Sequence, residues 1–184
     1  VAHIELNAVD LHWDVIARFA DVPMPAGFYD DWVRAADEES KHFNLISDCL
    51  EAHDSHYGAL PAHAGLWEAA RETRHDVAAR LAVVPMVLEA RGLDVTPATL
   101  ERVEAAGDVH GAKILSRILD DEIRHVALGT KHFLKVAEAL GNAPESLWKH
   151  LVRTHFLLLV KPPFNDSARL AAGLSREFYT NVAP

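Results

Sequence analysis

Two strings constrain this chain more than any other feature: Glu38-Glu39-Ser40-Lys41-His42 and Asp121-Glu122-Ile123-Arg124-His125. Each reads acid, glutamate, any residue, base, histidine, within a stretch whose apolar residues recur with helical period. Residues three apart on a helix stand about 60° apart around its axis, so the glutamate and histidine of each string reach one ion together. Glu39 shares its face with Phe28, Trp32, Ala35, Ala36, Phe43, Ile46 and Leu50, and Glu122 with Leu115, Ile118, Leu119, Val126, Gly129 and Phe133. Two further glutamates lie on apolar faces without a histidine at i+3. Glu5 sits with Ala8, Val9, His12, Ile16 and Phe19; Glu89 sits with Ala78, Leu81, Ala82, Pro85, Met86 and Leu93. Glu5 precedes Glu39 by 34 residues and Glu89 precedes Glu122 by 33, so a helical hairpin of nearly equal span is written twice. Rival acids fail the same test: Asp14 faces Asn7, Asp10, Arg18 and Asp21, Glu68 faces Arg71, Glu72 and His75, and Glu138 faces Lys131, Leu134 and Lys135. These read as surface charges.

A buried carboxylate neutralises or finds a partner, and four together need cations. The set Glu, Glu-x-x-His, Glu, Glu-x-x-His is that of a carboxylate-bridged dinuclear metal site in a four-helix bundle. The expected metal ligands are therefore Glu5, Glu39, His42, Glu89, Glu122 and His125. Two divalent ions bring four positive charges, moving the formal net charge from −9 to −5. Oxygen and imidazole donors without thiolate suit iron or manganese (Fe/Fe, Mn/Fe or Mn/Mn), with zinc also compatible. Glu38 and Asp121 are expected to orient the histidine ring N–H groups, and Lys41 and Arg124 to pair across the repeat. The alternative for these four is a set of solvated i,i+3 charge pairs.

Glycine and proline mark the joints. Helices are expected at about 2–20, 27–53, 65–91 (stopped by Gly92), 96–106 (opened by Thr96 and Pro97), 109–140 (capped by Asp108) and 145–160, with a short tail helix capped by Asp166. No segment alternates like a strand, so the class is all-α. We read residues 1–184 as one domain with 142–184 as a helical extension packed on the bundle, and an upstream segment is expected before Val1. With 49% apolar residues the chain can bury a core. The net charge of −9 argues against a general nucleic-acid or anionic-membrane binder. A single cysteine, Cys49, excludes an intrachain disulfide and any cysteine-rich metal site, which fits the cytoplasm. The longest apolar run, Leu81 to Leu88, falls far short of a membrane span.

A length argument bears on topology. In a bundle whose second and third helices run parallel, about 14 residues after Glu39 rise roughly 21 Å. A straight helix from 65 to Glu89 would start about 36 Å below the site. Spanning roughly 57 Å exceeds the roughly 35 Å that about ten connecting residues reach. Either residues 65–75 form a separate crossover helix, the favoured arrangement, or helices two and three are antiparallel. Pro85, four residues before Glu89, is expected to kink or widen its helix.

The strings HIELNAVDLHWD, DEESKHF, YGALPAHAGLWEAA, LAVVPMVLEARGLDVTP, DDEIRHV and KPPFND resemble an uncharacterised ferritin-like family, domain of unknown function 455, over essentially the whole chain. The resemblance implies a ferritin-like bundle of the di-iron carboxylate superfamily, with the family's metal motif falling on the same six residues. Relatives by fold include rubrerythrins, the small subunit of ribonucleotide reductase and a tRNA hydroxylase. It also implies a pocket-wall or supporting role for Tyr57 and His63. The expected activity is that of an O2-activating oxidase or oxygenase acting on a small molecule, with an external electron donor, as a monomer or dimer. The alternatives are ferroxidase or iron handling, and a bundle with a structural metal or none. Among the remaining residues, His12 reads as a core or pocket histidine rather than a seventh ligand. His53, His56 and His63 form at most an accessory zinc site. Trp13, Trp32, Trp67 and Trp148 read as packing residues, and Tyr29 and Tyr179 as ordinary tyrosines.

Overall fold

The computed structural model describes residues 1–156, 158–180 and 182, and every regular element among them is helical. Helices α1 (Ala2–Arg18) and α2 (Phe28–Ala52) form one hairpin. Helix α3 (Gly65–Glu72) follows a loop. A long third rod then comprises α4 (Val77–Val83), a π-helical turn (Val84–Glu89) and α5 (Ala90–Ala105). Helix α6 (Val109–Ala139) returns alongside it, and α7 (Pro144–His155), α8 (Asp166–Ala171) and α9 (Arg176–Tyr179) close the chain. No helix among the described residues is long and apolar enough to cross a membrane.

Side-chain pairings fix the directions. Glu5 meets His42, His12 meets Trp32 and Tyr29 meets Phe19, so α1 and α2 are antiparallel. Asp31 meets His132, Glu38 meets His125 and His42 meets Asp121, so α2 and α6 are antiparallel. Gly129 faces Pro85, while Leu115 and Thr99 line one cavity further along, so α6 and the third rod are antiparallel too. Helix α2 therefore runs parallel to the rod of residues 77–105, and the chain must cross between them. Helix α3 makes that crossing in contact with α1 and the π-turn. It ends at Thr73, and Asp76 starts α4 afresh by accepting hydrogen bonds from the N–H groups of Ala78 (2.8 Å) and Ala79 (3.2 Å).

Local chemistry explains most boundaries. Asp108 caps α6 by accepting from Gly111 N at 2.8 Å. Helix α6 ends in a Schellman arrangement, with Gly141 at φ 68°, Gly141 N donating to Glu138 O and Asn142 N to Ala137 O, both at 3.0 Å. Pro85 lies in the π-turn, which widens the helix just before Glu89. Gly129 permits α6 to close on that turn: a Cβ there would stand 2.4 Å from Pro85 Cβ.

Several expected boundaries are corrected. Gly92 does not end a helix, and Thr96–Pro97 does not begin one, because α5 runs through both. Buried Asp94 accepts from Arg169 Nε (2.8 Å) and Nη2 (2.7 Å) and from Asn165 N (2.9 Å), so tertiary bonds hold the segment that local propensity would break. Helix α7 stops at His155, and the cap of α8 is Asn165 rather than Asp166. Trp32 and Trp148 are buried, but Trp13 is half-exposed and Trp67 partly covered. Asp14 does pair with Arg18, yet it also holds the buried guanidinium of Arg80 at 2.6 Å. Helices α7 and α9 extend the core: Trp148 donates to Ala82 O at 3.2 Å and stacks edge-on with Phe178.

Candidate metal centre

Each long element delivers carboxylate or imidazole to one buried region. Glu5 comes from the first turn of α1, Glu39 and His42 from mid-α2, Glu89 from the last position of the π-turn, and Glu122 and His125 from mid-α6. Donor atoms of Glu5, Glu39, His42 and Glu122 all lie within 4.8 Å of one another. His42 Nδ1 is 3.4 Å from both Glu5 Oε2 and Glu39 Oε2. His125 Nδ1 is 2.8 Å from Glu39 Oε1 and 3.7 Å from Glu122 Oε1. Glu89 joins the other three glutamates in lining a cavity of about 220 Å³. All six residues singled out by spacing thus converge.

The histidines are held from behind by acids of the opposite string. His42 Nε2–H donates to Asp121 Oδ2 at 3.0 Å, and His125 Nε2–H donates to Glu38 Oε2 at 2.9 Å. A carboxylate can only accept, so this geometry turns both Nδ1 atoms toward the glutamates. Arg124 pairs with Asp121 and stands 3.4 Å from Glu38, tying the two acids together. Lys41 does not share this role: it pairs with Asp37 one turn earlier on the exposed face of α2. Arg117, 3.7 Å from Asp121, is the second base near the site, and no repeat in the sequence signals it.

Electrostatics follows from burial. Desolvation raises the Glu5 carboxyl above its ordinary range, and nearby Glu39 adds to the effect. Desolvation and then Glu39 push Glu122 well above its range. Burial acts on Glu39 in the same sense, but the neighbouring imidazoles of His125 and His42 outweigh it and hold that carboxyl low. Burial opposes charge on His42, yet Glu39, Glu5 and Asp121 push it up to about 10, and His125 is likewise raised by Glu122 and Glu39. The cluster therefore favours positive charge in its midst. Its inward atoms remain poorly satisfied. Glu5 Oε2, both Glu39 oxygens, Glu89 Oε2 and the Nδ1 atoms of His42 and His125 have no hydrogen-bond partner among the described residues. Such atoms are what a bound cation would satisfy.

Among the described residues, Tyr57 and His63 hydrogen-bond to His3 and to Gly65 and to none of the six. Tyr57 donates to His3 Nδ1 at 2.9 Å, and the His63 carbonyl accepts from His3 Nε2 at 3.1 Å. They fasten their loop to α1 two residues before Glu5 and line a separate cavity of about 480 Å³. His53 gathers with Cys49 and Asp108, its Nε2 3.2 Å from Asp108 Oδ2, and not with His56 and His63. His12 is the residue whose place the periodicity undervalued: its Nε2 is 3.4 Å from Glu89 Oε1. The one available signal was its position on the Glu5 face.

Residues 1–180 match a family model described as Protein of unknown function (DUF455). A Haemophilus influenzae protein described as uncharacterized is 38% identical over 181 residues, covering 96% of this chain. The chain spans 63% of that relative's length. No solved structure matches the chain.

Proposed function

The chain belongs to the DUF455 family of proteins of unknown function, and on that footing we propose that it is a ferritin-like four-helix bundle holding a dinuclear, di-iron-type centre that oxidises a small molecule with O2. One observation carries the reading: the outward nitrogen of each histidine is fixed by an acid, while inward nitrogens and glutamate oxygens converge without hydrogen-bond partners. The connectivity supports it, because a crossover between parallel second and third helices is the ferritin-like arrangement. Glu5, Glu39 and His42 would hold one metal, and Glu89, Glu122 and His125 the other. When bound, a ferrous pair supplies electrons for reducing O2.

The chain's own residues do the rest. Asp121 and Glu38 fix the tautomer and ring orientation of His42 and His125. Glu39, in reach of both histidines, is placed to join the two halves. The 220 Å³ cavity meets all four glutamates, with Leu11, Leu66, Leu88 and Ile118 in its walls, and neither His42 nor His125 lines it. Substrate would thus approach from the carboxylate side, away from the anchored imidazoles. An apolar cavity of about 150 Å³ holds benzene, so this one suits a compact, largely apolar molecule.

The test is metal content per chain, measured by elemental mass spectrometry on protein made with iron and manganese both available. About two ions per chain are expected for a dinuclear site of this type, with loss of both in the Glu39→Ala/Glu122→Ala double variant. Ferrous-loaded protein should then consume O2. Absence of stoichiometric metal in the unmodified full-length protein overturns the reading.

A further inference from the structure

We propose that His12 is a seventh metal ligand and that it makes the two metal positions unequal; the inference rests on the dinuclear reading above. His12 lies on α1 two turns after Glu5 and is only 2% exposed. Its ring stacks on Trp32 with centroids 5.2 Å apart and meets His125 edge-on at 6.0 Å. His12 Nε2 stands 3.4 Å from Glu89 Oε1, the same separation that His42 Nδ1 keeps from Glu5 and from Glu39. Two donors each about 2.1 Å from a common first-row ion stand about 3.0–3.4 Å apart. Neither nitrogen of His12 has a hydrogen-bond partner among the described residues, and neither does Glu89 Oε2. A buried imidazole left so is costly, and an ion shared with Glu89 satisfies it.

The consequence is an asymmetry that the repeated sequence conceals. Glu5, Glu39 and His42 offer one nitrogen, whereas Glu89, Glu122, His125 and His12 offer two. Imidazole donors suit zinc and iron, and carboxylate-rich sites suit manganese. The Glu89 position therefore fills first with zinc or iron, and the Glu5 position is the one that accepts manganese. His12 also differs from His42 and His125 in having no acid hydrogen-bonded to its ring among the described residues. Packing on Trp32 is what orients it.

The experiment is a titration of the metal-free full-length protein with Zn(II) and with Mn(II), reading bound metal after equilibrium dialysis. Wild type should bind two zinc ions with unequal affinity. His12→Gln, which keeps a planar polar side chain on Trp32, should weaken only the tighter zinc position, by about 10–100-fold, and change manganese binding less. In His12→Gly, added imidazole should restore the lost affinity. An unchanged tighter position in His12→Gln overturns the inference while leaving two-metal binding intact. Equal weakening at both positions without imidazole rescue also overturns it, by marking His12 as packing alone. A wild type that binds neither metal overturns the dinuclear reading and this inference together.

Discussion

Among the described residues, three acids hold a histidine Nε2 across the contact of α2 with α6, and the pairs differ in what lies in front of the ring. Glu38–His125 and Asp121–His42 lie inside the cluster, while Asp31–His132 lies seven residues away along both helices, with Nε2 2.7 Å from the carboxylate. All three acids hold Nε2. The Nδ1 atoms of His42 and His125 face glutamates, and both histidines are raised. His132 instead stands 5.0 Å from the Phe28 ring and 6.3 Å from the Trp32 ring, and burial lowers it. The acid behind an imidazole sets its orientation, whereas the groups before it set whether it carries charge or lends a lone pair.

The largest effect should come from prising α6 off the π-turn that carries Glu89. Gly129 lies on α6 between His125 and His132, and Gly129→Val would drive a side chain into the rigid Pro85 ring. We expect a loss of about 3 kcal/mol or more in urea denaturation, with metal affinity falling as well. Next come the inner contacts singly. Asp121→Asn and Glu38→Gln should each weaken one metal by about 10–100-fold in dialysis. Asp121→Asn should have the larger effect, because Arg117 loses its acid and Arg124 the closer of its two. Equal loss of both metals from either variant would break the one-acid, one-histidine correspondence.

The outer contact should behave in the opposite way. Asp31→Asn should cost about 1–3 kcal/mol at pH 7 by urea denaturation, with metal content unchanged. The smallest effect is its pH dependence. Against the cost of burial, Lys131 and His132 hold the Asp31 carboxyl below its ordinary 3.8, so its contribution is full above that pH and is lost as pH falls through the folded-state value. His132 is lowered, so its unfolded form binds the proton first and stability falls as pH drops through 6.5. Both shifts act in the same direction. Denaturation midpoints should decline less steeply below pH 3.8 in Asp31→Asn than in wild type, because the carboxylate's contribution is gone, and more steeply through pH 6.5, because Asp31 no longer offsets the burial that lowers His132.

Much of the fold and of the candidate centre is legible in the sequence, because helical period and three-residue spacing are local geometry. Asp108 acts at the boundary it occupies through a backbone hydrogen bond within a turn of itself. The same periodicity puts Glu5, Glu39, His42, Glu89, Glu122 and His125 on apolar faces, and buried polar groups on apolar faces must meet one another. Pro85 announces a disturbed helix, since a missing N–H is missing in any fold.

Other features depend on which surfaces meet. The sequence places acids before both glutamates but cannot say that each acid serves the histidine of the other string; antiparallel packing of α2 on α6 decides that. Lys41 and Arg124 occupy equivalent places in the two strings, yet only Arg124 faces the partner helix. Continuation of α5 through Gly92 and Pro97 is settled by Asp94 bonding to Arg169 and Asn165, residues more than seventy positions away. His12 acquires its place only because the π-turn carries Glu89 to it. By itself the sequence determined the helices, their apolar faces and the kinds of donor those faces bring inward, because these follow from spacing along one chain. The tertiary structure alone decided which donor faces which, because partner choice rests on distances between segments that spacing does not contain.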